Sequence, residues 1–103
     1  MEKTASNYIL FKKTLGSLLY FSYKHPDPVE RKEYRHKFDT LSQREPEYKV
    51  EDLSASEQHE VSNLDRLISL YDQYNAEISD LRKSELFSEI IDLSDQLGVS
   101  REA

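Results

Sequence analysis

The sequence predicts an all-α fold, a small three- or four-helix bundle, and three observations carry that prediction. Gly occurs twice and Pro three times in 103 residues, and neither occurs between positions 47 and 97. An all-β domain needs turn residues about every 8–12 positions, and this chain does not have them. Hydrophobic residues make up 37% of the chain and charged residues 33%, against roughly 45–50% (Gly included) and 25% in average globular domains. A helix suits so narrow a core, because one stripe is buried while the remaining faces stay solvated. The third observation is periodicity: apolar residues recur three and four apart through most of the chain.

Residues 8–23, YILFKKTLGSLLYFSY, are the most apolar stretch. Tyr8, Phe11, Leu15, Leu18, Leu19 and Ser22 share one helix face. Ile9, Leu10, Tyr20 and Phe21 carry that face around most of the circumference. A helix so apolar is enclosed by other elements, which places this one, about 7–24, at the centre of a bundle whose helices are antiparallel where adjacent. Ser6 or Asn7 is the expected N-cap. Gly16, at a cost of about 1 kcal/mol against Ala, marks a side where another backbone could approach closely. Lys12 and Lys13 interrupt the stretch, so it falls short of a membrane span. The first eight residues lack the pattern of a signal peptide. A cytoplasmic location with no membrane partner is expected.

His25-Pro26-Asp27-Pro28 ends the first helix and starts the second, about 28–43. Pro26 biases the preceding residues away from helix. Asp27 is a suitable N-cap, and Pro28 suits the first helical position. The apolar stripe is thin: Val29, Tyr34, Phe38 and Leu41. Arg31, Lys32, Arg35, His36 and Lys37 cluster around it. Basic residues interleaved with aromatics are one pattern of nucleic-acid recognition. Here Glu30 and Glu33 share the same turns and the chain carries a net charge of −6, so no nucleic-acid partner is expected.

Residues 44–54 read as a connector broken by Pro46, with Tyr48, Val50 and Leu53 tucked under the bundle as a strap. Ser54 and Glu57 have the spacing of a capping box and open a third helix, about 55–82. Val61, Leu64, Ile68, Tyr71, Asn75 and Ile78 follow heptad spacing, widened by Leu67, Tyr74 and Leu81. This is a short coiled-coil seam with Asn75 inside it. Beyond Leu81 the apolar face rotates by roughly 120°, at about 100° per residue. A break near Arg82-Lys83-Ser84 is the favoured reading, with Ser84 capping a fourth helix over 85–97; one long C-terminal helix is the other. Gly98 suits the left-handed position past the helix end, with Val99 folding back onto Leu93.

Charge is unevenly distributed. Residues 1–49 hold ten Lys/Arg and seven Asp/Glu, a balance of +3, and residues 50–103 hold four and thirteen, a balance of −9. The halves are electrostatic complements, suited to pack on each other, within one chain or across a dimer. The acidic half would also steer a basic partner.

No catalytic constellation is apparent. There is no Cys, and His25, His36 and His59 fall in separate elements. Glu85, Glu89 and Asp92 share a helix face but read as solvated. No cofactor and no metal site is expected. Two short resemblances supply the alternative readings. His25-Pro26-Asp27, with Phe38 downstream in a charged helix, resembles the loop and following helix of a J-domain cochaperone, which implies contact with an Hsp70-type chaperone. Arg31 and His36 have the spacing of the HEPN ribonuclease motif, which implies RNA cleavage by those two residues.

The leading expectation is a non-enzymatic protein-binding module: an adaptor, an inhibitor or immunity-type protein, or an assembly chaperone. Seven Tyr and four Phe are many for a chain short of aliphatics, and Tyr suits interfaces because it buries a ring while its hydroxyl stays wet. The expected contact residues are Tyr20, Tyr23, Tyr71, Tyr74 and Leu81. The expected partners are a basic protein and, through the third helix, a second copy of the chain in a homodimer.

Overall fold

In the computed structural model, which describes residues 2–45, 51 and 53–101, four helices follow one another: α1 (Glu2–Lys24), α2 (Pro28–Ser42), α3 (Ala55–Ala76) and α4 (Asp80–Leu97). Among the described residues there is no strand. The protein is a small all-α bundle, as composition and periodicity predict.

The apolar rod is covered on two sides along its length, but Leu10, 63% exposed, and Thr14 face solvent, so the enclosure expected from its apolar circumference is only partial. Near its N-terminal end Tyr8 packs with Leu53 and Val61. In its middle, Gly16 faces Leu67 of α3 and Val99, which follows α4. Toward its C-terminal end Leu19 joins Leu64, Leu67, Leu70, Tyr71, Leu86, Ile90 and Leu93 in the main core. On another side α2 runs back along α1, with the Phe21 and Tyr34 ring centroids 5.0 Å apart. Near the far end of that pair, the Tyr8 hydroxyl donates to Glu45 at 3.1 Å.

Sequence-adjacent helices are antiparallel. α1 and α3, adjacent in space, instead run parallel: Tyr8 meets Val61, Lys12 meets Asp65 and Tyr23 meets Tyr71 in ascending order. This corrects the expectation of antiparallel neighbours throughout. The reason is that α2 and the connector return the chain to the N-terminal end of α1 before α3 begins. The parallel alignment brings the basic and acidic halves together within one chain. Lys12 reaches Asp65 at 2.8 Å and Glu45 at 3.5 Å, and Lys13 reaches Glu60 at 3.1 Å. Burial disfavours the Lys12 ammonium, but Asp65 and Glu45 outweigh it and its pKa is raised.

Most predicted caps form. The Asp27 side chain accepts from the Val29 amide at 2.9 Å. Ser54 and Glu57 form the reciprocal capping box, at 3.1 and 2.8 Å. Gly98 has φ +69, and the Val99 amide bonds Ser94 O at 2.9 Å while the Gly98 amide bonds Asp95 O at 3.3 Å. That is the Schellman pattern, and it returns Val99 to the core cluster that contains Leu93.

Three boundaries differ from the sequence reading. α1 begins at Glu2, so Ser6 and Asn7 lie inside it. The break between α3 and α4 falls at residues 77–79, not at 82–84. Ser79, not Ser84, is the cap, accepting from the Arg82 amide at 3.3 Å, and Glu77 Oε1 accepts from the amides of Ile78 and Ser79 at 3.1 Å. With these two residues serving the free amides, the chain turns five residues early. Asn75 and Ile78 are therefore exposed rather than in the seam. Within the strap, Leu53 is buried as expected; Pro46, Tyr48 and Val50 lie outside the described residues.

α2 is the least embedded element, with none of its residues fully buried and Val29 largely exposed. Tyr34, Phe38 and Leu41 are half-buried along its inner face.

A Cβ on Gly16 would lie 3.2 Å from Val99 Cγ1 and 3.3 Å from Leu67 Cδ2. Gly16→Leu is therefore expected to destabilise the protein by about 1–3 kcal/mol through overpacking. On an open helix face the same change would stabilise by up to about 1 kcal/mol from helix propensity. Thermal or denaturant unfolding reads the sign, and a stabilised variant would mean that Val99 and Leu67 do not cover α1.

Candidate functional site: the aromatic end of the bundle

The parallel run of α1 beside α3 brings their C-terminal turns to the same end of the bundle as the start of α4. Tyr20, Tyr23 and Lys24 come from α1, Tyr71 and Tyr74 from α3, and Lys83 and Phe87 from α4. All are spaced to share a helix face within their own element.

Their rings form a connected series from core to surface. Tyr71 is 1% exposed and lies at its base. Tyr23 stacks on Tyr71 with centroids 5.8 Å apart and planes 5° apart. Tyr74 meets Tyr23 edge-on at 5.5 Å and Phe87 at 5.6 Å. Tyr20 stacks on Phe87 at 6.3 Å. Such pairs contribute about 0.5–1.5 kcal/mol each beyond the area they bury. Two ammonium groups sit over the outer rings, Lys24 4.3 Å from the Phe87 centroid and Lys83 5.1 Å from that of Tyr74. Lys24 also donates to the Tyr74 hydroxyl at 3.4 Å. A groove of about 450 Å³ opens here, lined by Lys24, Tyr74, Asp80, Lys83, Ser84 and Phe87 among others.

Four of the five expected contact residues are thus brought together. Tyr20, Tyr23 and Tyr74 are half-buried and partly accessible. Tyr71 is corrected: it is a core residue, because the aromatic run of α3 points inward against Tyr23. Leu81 lies outside the ring series, on the first turn of α4, and is 75% exposed. It stands one and two turns before Ser84 and Ser88, which line the groove. Beside it Ile78, in the α3–α4 turn, is 94% exposed. Sequence reasoning missed Ile78 as a surface residue by assigning it to the seam, and missed the roles of Lys24, Lys83 and Phe87. Ser79-Asp80 was the available signal for Ile78: a capping residue followed by an acid in the first turn.

The residues behind the alternative readings have structural partners. The His25 Nδ1 accepts from the Asp27 amide at 3.0 Å, and the His25 ring lies 5.6 Å from that of Tyr34. Arg31 donates to His25 O at 2.6 Å and Pro26 O at 3.3 Å. His36 is exposed. Glu85, Glu89 and Asp92 are exposed on α4, and no group of three or more His, Asp or Glu suited to a metal ion occurs among the described residues. No helix among the described residues is long and apolar enough to cross a membrane. Comparison with protein-family models, with curated proteins and with solved structures finds no match to this chain.

Two buried hydroxyls, Tyr71 Oη and Ser94 Oγ, have no hydrogen-bond partner among the described residues. Burial pushes the Tyr71 phenol well above its ordinary range; Tyr20 and Tyr23 add to this and Arg101 opposes it. A phenol whose folded-state pKa is raised contributes stability that is fully present below the unfolded pKa of about 10 and is lost as pH climbs beyond it. Tyr71→Phe is expected to leave stability unchanged or raise it by about 1 kcal/mol, since an unsatisfied buried hydroxyl costs about 1–3 kcal/mol. That gain corresponds to a Tm increase of roughly 4–8 °C in a domain of this size. The variant should also lose stability less steeply above about pH 10; Tyr23 and Lys12, both raised as well, keep part of that alkaline limb. A clear drop in Tm at neutral pH would instead show that the hydroxyl is bonded.

Proposed function

We infer that this protein is a non-enzymatic protein-binding module, an adaptor, inhibitor or assembly chaperone, whose contact surface is the α3–α4 corner and the aromatic groove beside it. The observation that carries the reading is the pair Ile78 and Leu81, 94% and 75% exposed on a chain with few aliphatic residues to spare. Single exposed aliphatics need no explanation. Two at one corner, next to partly accessible Tyr74 and Phe87, supply an apolar centre for an interface. Charge at the rim is mixed: Glu77, Asp80 and Glu85 share it with Arg82 and Lys83, and Arg82 pairs with Glu85 at 3.8 Å. Further along α4, Glu89 and Asp92 are exposed carboxylates. Those carboxylates of α4 favour a partner with an apolar anchor and basic surroundings, because complementary charge speeds encounter and selects against wrong partners.

The homodimer expectation moves with the corner. The apolar seam of α3 is used inside the chain, where Val61, Leu64, Leu67, Leu70 and Tyr71 are all buried. Apart from Ala55 and Ala76 at its ends, the exposed residues of α3, including Ser62, Asp65, Arg66, Ser69 and Asp72, are polar. A second copy would therefore dock through Ile78 and Leu81 rather than through paired α3 seams.

Leu81→Asp and Ile78→Asp are expected to leave the unfolding midpoint nearly unchanged, since both side chains are already in water. Each should weaken association with the physiological partner, or with a second copy, by about tenfold or more, as truncating an interface anchor costs over about 1 kcal/mol. Light scattering reads self-association, and affinity capture with titration of the captured protein reads partner binding. Wild-type binding by both variants would remove the corner from the interface.

A further inference from the structure

A second groove, about 400 Å³, lies between the N-terminal half of α2 and the last turns of α1 and α3, and its lining includes Ser22, Tyr23, Arg31, Lys32, Arg35 and Asn75. Among the described residues that line it there is no carboxylate. That is unexpected in a chain with twenty Asp and Glu. Elsewhere the cations close to the core have carboxylate partners: Lys12 with Asp65 at 2.8 Å, Lys13 with Glu60 at 3.1 Å and Arg101 with Asp95 at 2.6 Å.

The three groove cations are held differently. Arg31 is oriented by main-chain carbonyls, His25 O at 2.6 Å and Pro26 O at 3.3 Å, which fix the guanidinium without neutralising it. Arg35 lies over the Phe38 ring at 5.2 Å and its charge bears on Tyr23, and its ion pair with Asp39 is long, 3.5 Å, between half-exposed groups. Lys32 has no ion pair or hydrogen bond among the described residues and is exposed. Asn75 is exposed and offers both amide donors. Asp72 bears on Tyr23 from α3 but does not line the groove.

We propose that this groove binds a phosphate monoester, with the Arg31 and Arg35 guanidinium groups and the Lys32 ammonium on the phosphoryl oxygens and Asn75 and the Tyr23 hydroxyl at its edge. The Arg31 guanidinium is pre-positioned, and Arg35, exposed beside Phe38 and Asp39, can exchange its long ion pair for the ligand; two such forks match phosphoryl oxygens. Two cations without an ion pair, Arg31 and Lys32, and a third, Arg35, in a long half-exposed one suit a group carrying about −1.5 to −2 charges better than a singly charged carboxylate. The site stands apart from the α3–α4 corner and does not rest on it, so the two stand or fall separately.

The test titrates the full chain, at constant ionic strength, with inorganic phosphate, O-phosphoserine and acetate, following backbone amide chemical shifts. Saturable shifts confined to the turn at 25–28, the first half of α2 and the region of Tyr23 and Asn75 are expected for both phosphates and not for acetate. Tighter binding of phosphoserine than of inorganic phosphate would mark a phosphorylated larger molecule as the ligand; equal binding would mark free phosphate, and both support the site. Lys32→Gln and Arg35→Gln should each weaken binding about tenfold, the loss of one charge-assisted hydrogen bond. Lys32→Gln removes no contact of the fold, so it reports on binding even where other variants lower stability. Shifts that do not saturate, that acetate reproduces, or that survive both substitutions undiminished would overturn the proposal.

Discussion

Shortage of apolar side chains is the constraint on which the rest of this structure depends. With so few aliphatic residues no helix is covered all round; α1, between α2 and α3, comes nearest, and even there Leu10 stays exposed. α3 and α4 each bury a single stripe against the core that Leu19 joins, and α2 buries no residue completely. The cover over the middle of α1 is completed by a short piece of chain rather than by a fifth helix. Gly98 adopts the left-handed conformation that turns the chain back, and Val99 then fills the space above Gly16. A side chain at position 16 would occupy the same volume, so the glycine inside α1 and the glycine ending α4 are two halves of one arrangement.

Electrostatics follows from that geometry. Because α1 and α3 run parallel, the lysines on α1 fall opposite carboxylates of α3, and the charge asymmetry of the sequence is partly cancelled inside one molecule. Lys12 is deep enough to feel a desolvation cost, and Asp65 and Glu45 more than offset it. What remains after this pairing lies on the surface. The carboxylates of α4 face solvent, and Arg31, Lys32 and Arg35 of α2 line a groove with no carboxylate among its described lining residues. A net charge for each half of the chain predicts attraction between the halves. It does not predict which charges are used up by it.

The legible and illegible parts of the sequence divide along physical lines. Local signals that act within one turn were readable: Asp27 before Pro28, Ser54 with Glu57, and Gly98 before Val99. So was the central place of α1, although not its open side: Leu10, part of the apolar circumference, is 63% exposed. The α3–α4 boundary was not, since heptad spacing continues through Ile78 and Leu81 although neither is buried. Periodicity reports which residues would share a face if the helix continued, and it is silent about whether the helix continues. Tyr71 shows the same limit from the other direction. Its position in the seam was correct, but sequence alone did not separate a ring beneath Tyr23 from one beside it. The parallel pairing of α1 with α3 depends on where α2 and the connector deliver the chain, which no local pattern encodes.

One end of the bundle carries Ile78, Leu81 and the partly accessible rings, apolar surface that core formation does not consume. At the N-terminal end of α1, Tyr8 is closed off by Leu53 and Val61. At the C-terminal end the helix runs out before its neighbours can cover it, and aromatic rings take the place of aliphatic ones. Tyr is suited to that position because its ring packs on the core while its hydroxyl reaches water or a polar partner. The ring series from Tyr71 outward thus joins the rigid interior to two grooves, one beside the Ile78–Leu81 corner and one beside Arg31 and Arg35. The central helix stops at His25-Pro26-Asp27, where the same turn that ends α1 orients Arg31 and caps α2.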